Sequence, residues 1–142
     1  MNYRSLGIAA IVAWVIDSIY GFLVFGLALN SEFARYPGVF RSFEAVGGMM
    51  PLMFGASLVG TLAVTYIFAK GHEGGPGVAQ GLRFGLVFAV FGLFSISIPS
   101  YVIYNLGRLL AVESAVAAFV EMLLMGVVIG LVYKPAVRRV SS

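Results

Sequence analysis

Read for its apolar and polar positions, the chain holds four long apolar runs, about 6–29, 47–69, 82–104 and 109–133, parted by short polar connectors. Each run reaches the roughly 20 residues that a helix needs to cross the hydrocarbon of a bilayer. The runs are continuously apolar, whereas the strands of a membrane barrel are segments of roughly 10 residues with alternating polarity. The pattern therefore predicts an all-α polytopic membrane protein, a four-transmembrane-helix bundle. It forms a single membrane domain over 1–142, with a long amphipathic loop at 30–46 and a glycine-rich loop at 70–81 on opposite sides. The first run continues from Leu6 to Leu29 without the basic region, short core and cleavage site of a signal peptide, so it is expected to stay as the first helix.

Composition agrees with this. Of the residues 61% are apolar and 11% charged, against about a quarter charged in a soluble domain. With no cysteine in the sequence, disulfides, thiolate metal sites and thiol redox catalysis are excluded, and four-helix quinone-linked thiol oxidoreductases with them. The net charge of +3 comes from basic residues scattered at the ends of the runs, with no dense patch for nucleic acid. Arg4, Lys70, Arg83, Lys134, Arg138 and Arg139 lie on one side, and Arg35, Arg41 and Arg108 on the other. By the positive-inside rule this predicts N- and C-termini in the cytoplasm of a bacterial or archaeal cell, with the chain a multi-pass protein of its cytoplasmic membrane.

The connectors carry little chemistry of their own. The segment from Asn30 to Val46 mixes Phe33, Tyr36, Phe40 and Phe43 with Glu32, Arg35, Arg41 and Glu44, which suits the membrane interface. Pro37-Gly38 is expected to break it into two short pieces, anchored as a surface loop or laid as a lid over the bundle. The inner loop, Lys70 to Gly81, lacks the Gly-Lys-Ser/Thr ending of a phosphate-binding loop and reads as a hairpin connector. His72 in that loop is expected to be solvated and no haem ligand, and no cofactor is expected. Met49, Met50 and Met53 offer soft thioether ligands of the kind that bind Cu(I), although methionine is equally an ordinary lipid-compatible residue. Tyr66 with Lys70, and Tyr133 with Lys134, are aromatic and basic anchors at the inner ends of two helices, a likeness that interface physics produces without duplication. Gly81 with Gly85 and Gly126 with Gly130 have the spacing that lets helix backbones approach in lipid, and Gly21, Gly26, Gly55 and Gly60 add small surfaces for a tight left-handed bundle or for contacts with other subunits.

The informative residues are three acids within the predicted spans. Asp17 lies eleven residues from one end of its run and twelve from the other, and Glu121 lies twelve from both ends of its own, so both fall near the bilayer midplane. An acid there costs about 2.5–3.5 kcal/mol on insertion scales and normally faces the bundle interior or a water-filled cavity. No Lys, Arg or His lies at that depth. Each carboxyl must then be protonated, share a proton, hydrogen-bond to a neighbour such as Ser or Tyr, or bind a cation from outside. If the two face each other they titrate as a coupled pair. Glu113, eight residues before Glu121, is about 80° around the helix and roughly 12 Å toward the outer surface. It fits an access route for protons or cations, or a simple interfacial position.

Trp14, Asp17, Ser18 and Gly21 share a helix face by their spacing of three and four. The Trp14 ring can meet an organic cation or serve as a packing residue. In the third helix, Pro99 frees backbone carbonyls near Ser95, and with Ser97, Ser100, Tyr101, Tyr104 and Asn105 it is expected to make a kinked, polar-lined vestibule. The candidate substrate or cation-binding residues are thus Asp17, Glu121, Glu113, Trp14, Tyr101 and Ser18.

The plan resembles that of the small four-helix multidrug transporters, which also place a carboxylate within the membrane. The shared feature is an acid in the first helix, Asp17; no further motif corresponds, and no residue role is carried over. The sequence leads to proton- or cation-coupled transport of a small solute, with the chain acting as a homo-oligomer. One alternative is an accessory or assembly subunit of a larger membrane complex, whose acids and glycine faces meet partner helices. The other is a membrane-embedded lipid-modifying enzyme using Asp17 and Glu121 as general acid and base. It is the least favoured of the three, because no nucleophile, metal cluster or phosphate-binding arrangement accompanies them.

Overall fold

The side-chain oxygen of Asn2 accepts the backbone N–H of Ser5 at 3.1 Å and so caps the first helix. In the computed structural model, which describes residues 1–135, that helix, α1, spans Tyr3–Ala28. Arg138 and Arg139, counted above toward membrane orientation, lie outside the described residues. A single turn, α2 (Asn30–Phe33), follows. Helix α3 (Phe43–Lys70) is capped by Ser42, whose Oγ accepts the N–H of Ala45 at 3.3 Å. Helix α4 spans Gly77–Ile103, and α5 spans Arg108–Val132. No strand occurs among the described residues, and the four long helices are each long and apolar enough to cross a membrane.

Three helices begin well before their apolar runs: α1 at Tyr3, α3 at Phe43 and α4 at Gly77. Apolar runs mark the depth of hydrocarbon, whereas a helix continues into the polar interface until a cap or a turn stops it. The turn before α4 is tight. Gly74 and Gly75 adopt φ of 88° and 100°, a region that disfavours a side chain, and the Gln80 side chain bonds to the backbone of Glu73 and Gly74.

Two helices change their winding in the half nearer the 30–42 connector. Residues Phe22–Ala28 of α1 and Leu93–Ser97 of α4 form π-helical turns. The second precedes Pro99, which has no N–H to offer the preceding turn. The chain meets that defect by widening its turn at the place where the sequence predicts a kink.

Helices α4 and α5 make the closest contact, backbone on backbone. A β-carbon on Gly81 would collide with the carbonyl of Gly126, and one on Gly85 would stand 2.7 Å from the Met122 carbonyl. Gly77 and Gly130 oppose each other in the same way. The predicted glycine spacing is thus used within the chain. On its other flank α5 meets α1, where Ala9, Ala10 and Ala13 are fully buried. Helix α3 runs along α1, so the backbones follow the order α3, α1, α5, α4. At the terminal side the row closes: Phe68 of α3 packs edge-on to Phe84 at 5.3 Å and to Tyr133 at 6.0 Å, and the N–H of Lys134 donates to Ser5 Oγ at 2.7 Å.

Candidate functional site

The indole N–H of Trp14 donates to Ser57 Oγ at 2.9 Å and to the Phe54 carbonyl at 3.2 Å, and its ring stands edge-on to Phe54 at 6.2 Å. This fastens α1 to α3. Beyond it, toward the long-loop side, the two helices part and enclose a cavity of about 520 Å3. The ring of Trp14 is not among its walls; the indole is taken up by the fastening beneath.

Asp17, Ser18 and Gly21 line the cavity, as their shared helix face predicts. Glu121 joins them from α5. The carboxyl groups of Asp17 and Glu121 lie within hydrogen-bonding reach of each other, as their equal depths allow. A hydrogen bond between two carboxyl groups needs a proton on at least one of them. One turn along α5, the carbonyl of Ala117 accepts the hydroxyl of Tyr20 at 2.8 Å, which holds α1 to α5 beside the acids. Among the described residues the one ion pair is Arg35–Glu32 at 3.1 Å, on the surface of the long loop. Among the described residues no basic side chain pairs with either midspan acid.

The walls are aromatic. Phe22, Phe25, Phe33, Phe40, Phe43 and Phe54 all line the cavity, with Arg41 from the loop. Phe33 stacks on Phe25 at 6.5 Å and meets Phe40 edge-on at 4.8 Å, so the loop's rings turn inward onto the site. The loop is held in place by Tyr36, whose hydroxyl accepts the N–H of Gly107 at 3.0 Å. Phe22, Phe25 and Phe54 were not singled out from the sequence, although Asp17, Gly21 and Phe25, and likewise Ser18, Phe22 and Gly26, follow each other at steps of four. That series is the signal that would have found the α1 wall.

The other candidates stand apart. Glu113 is half-buried on α5, with Oε2 lacking a hydrogen-bond partner within the protein, and it does not line the cavity. Tyr101 is exposed in a separate shallow depression with Tyr104 and Asn105. The serines of α4 lie outside the cavity as well. Met50 and Met53 are wall residues, whereas Met49 is an exposed neighbour outside it. No group of three or more His, Asp or Glu side chains suited to a metal ion occurs among the described residues. No protein-family model matches the chain, and no match to it is found among curated proteins or solved structures.

Proposed function

We propose that this small multi-pass membrane protein couples the movement of a small solute to that of protons, with the solute in the aromatic cavity and the exchangeable proton on Asp17 and Glu121. The observation that carries this reading is the meeting of two acids, each near the middle of its helix, at a cavity large enough for a small molecule. Buried carboxyls without a basic partner are costly in lipid and face function more often than packing. A proton is the neutralising charge that such a pair can gain and lose. With the bundle closed at its terminal side by Phe68, one copy encloses only the loop-side part of a pathway, so the working unit in this reading is a homo-oligomer, with both termini in the cytoplasm.

The test is a vesicle experiment. Purified protein is reconstituted with a pH indicator in the lumen, and a panel of small organic solutes is added outside. At least one solute should change luminal pH with the native chain and not with Asp17→Asn or Glu121→Gln. A panel without effect on the native chain, or equal effects with both variants, would remove the proposal.

A second reading has one observation in its favour. Gly47, Gly48, Gly55 and Gly60 of α3 have no neighbour within 4 Å of a β-carbon built on them, which leaves small surfaces of the kind that partner helices use. In that reading the chain is an accessory subunit, and copurification in mild detergent distinguishes the two.

A further inference from the structure

We infer that the ligand of this cavity is a long-chain carboxylate drawn from the membrane, seated with its alkyl chain among the aromatic walls and its head group at Arg41. This rests on the reading of the cavity as the solute site and names its ligand class.

The cavity is open on one flank. Phe22, Phe43 and Met53 line it and are 48%, 53% and 48% exposed, so in a bilayer the gap between α1 and α3 faces acyl chains. A ligand that enters sideways is itself lipid-soluble. Between the loop above and Ser18 and Ser57 below, every wall residue is apolar. The Ser57 hydroxyl is taken, since it donates to the Phe54 carbonyl at 3.1 Å and accepts from Trp14. A sugar or an amino acid is held by several convergent polar groups, and these walls do not supply them.

Dimensions point to one chain. From Asp17 at the foot to Ala28 at the end of α1 the helix rises about 15 Å, and the cavity holds about 520 Å3. At the roughly 30 Å3 that a group as small as water takes up in a liquid, this is room for a chain of roughly 16 carbons. The two chains of a phospholipid do not fit.

Charge fixes the head group and its place. Arg41 stands two residues before α3 and six before its apolar run, at the depth of the lipid head groups. It lines the mouth of the cavity together with Asn30. Among the described residues Arg35 of the same loop is paired with Glu32, whereas Arg41 has no carboxylate within ion-pair distance. A guanidinium takes a carboxylate through two parallel hydrogen bonds, and the Asn30 amide offers a further donor. At the foot, Asp17 and Glu121 present oxygens that repel an anion. Attraction at the mouth and repulsion at the foot act in the same sense, so the chain end lies beside the acids. The two carboxyls there are turned to one another, which lets them meet hydrocarbon without losing a partner.

Trp14 supplies the probe. It is the single tryptophan of the chain, and it touches Phe54 and Ser57, which line the foot. Bromine quenches an indole only at close range, so its fluorescence reports which end of a ligand lies there. The full chain in lipid nanodiscs is titrated in alkaline buffer with hexadecanoate brominated at its terminal carbon, and separately with hexadecanoate brominated beside the carboxylate. Titration calorimetry of plain hexadecanoate, with protein-free nanodiscs subtracted, gives the affinity.

Terminal bromine should quench Trp14 saturably, be displaced by plain hexadecanoate, and quench more strongly than bromine beside the head group. Arg41→Gln should weaken binding about fivefold, and high salt should act in the same direction because Arg41 is exposed. Arg35→Gln should leave affinity within about twofold; circular dichroism confirms that each variant is folded. If bromine beside the head group quenches as strongly as terminal bromine, the seating is wrong and the proposal falls. If the matching alcohol or trimethylammonium binds as tightly as the carboxylate, or if Arg41→Gln binds like the native chain, the anionic head group falls and the cavity remains the solute site. If quenching rises without saturation and plain hexadecanoate does not reverse it, the ligand class is wrong, and the luminal-pH experiment decides the coupling separately.

Discussion

A β-carbon built on Gly21 lies 3.9 Å from Oε1 of Glu121. The first helix thus receives the second acid at a position without a side chain, one turn beyond its own acid. That spacing is an ordinary van der Waals contact, so Gly21→Ala should keep the fold and ligand binding within about twofold. Gly21→Leu should push the Glu121 carboxyl aside and weaken binding about tenfold, an effect of about 1.4 kcal/mol, measurable in the same calorimetric titration.

The glycines divide into two classes. At Gly81 a side chain meets the Gly126 backbone, which cannot yield as a flexible side chain does. Gly81→Val should destabilise the protein by about 3 kcal/mol, read as a lowered midpoint of thermal unfolding in detergent. Gly55→Ala and Gly60→Ala meet open space and should stay within about 0.5 kcal/mol of the native chain. If they release a copurifying protein while stability is unchanged, the accessory-subunit reading gains.

The fastening of α1 to α3 rests on one donor. Trp14→Phe keeps an aromatic ring against Phe54 and removes the N–H from Ser57 and the Phe54 carbonyl. A loss of about 1 kcal/mol is expected. Ser57→Ala should account for most of it in a double-mutant cycle, and near-additivity of the two changes would refute the pairing.

Tyr36→Phe removes the acceptor of the Gly107 N–H. Amide exchange at Gly107 should speed up about tenfold, and proteolysis of the 34–42 segment should quicken. Gly107→Ala, whose β-carbon would collide with the Tyr36 hydroxyl, should have the same effect.

The four spans were legible because each apolar run is far longer than a soluble core helix requires, and the acids could be matched because depth follows from position along a run. Rotation about the helix axis was not legible in the same way, since partners set it. Gly81 and Gly126 meet within the chain, whereas Gly55 and Gly60 are bare, although all four are glycines amid apolar neighbours. Trp14 lies on the predicted face with Asp17, yet its N–H finds α3 and its ring stays out of the cavity. The cavity itself depends on loop aromatics that fold inward, and an interfacial pattern of rings and charges fits either an inward or an outward turn. The π turns of α1 and α4 were hidden for a similar reason: an apolar run reads alike at either winding.

The row α3, α1, α5, α4 closes at Phe68 on the terminal side, whereas the buried residues of α3 are confined to Thr61, Thr65 and Phe68 and its half nearer the long loop has none. Its apolar run, 47–69, is about 35 Å long as a helix against roughly 30 Å of hydrocarbon. A mismatch of this kind is met by tilting of the helix or by a change in local bilayer thickness. Bilayer thickness therefore bears on the helix that forms one wall of the gap above Trp14, and a change of lipid chain length is expected to alter the width of the cavity.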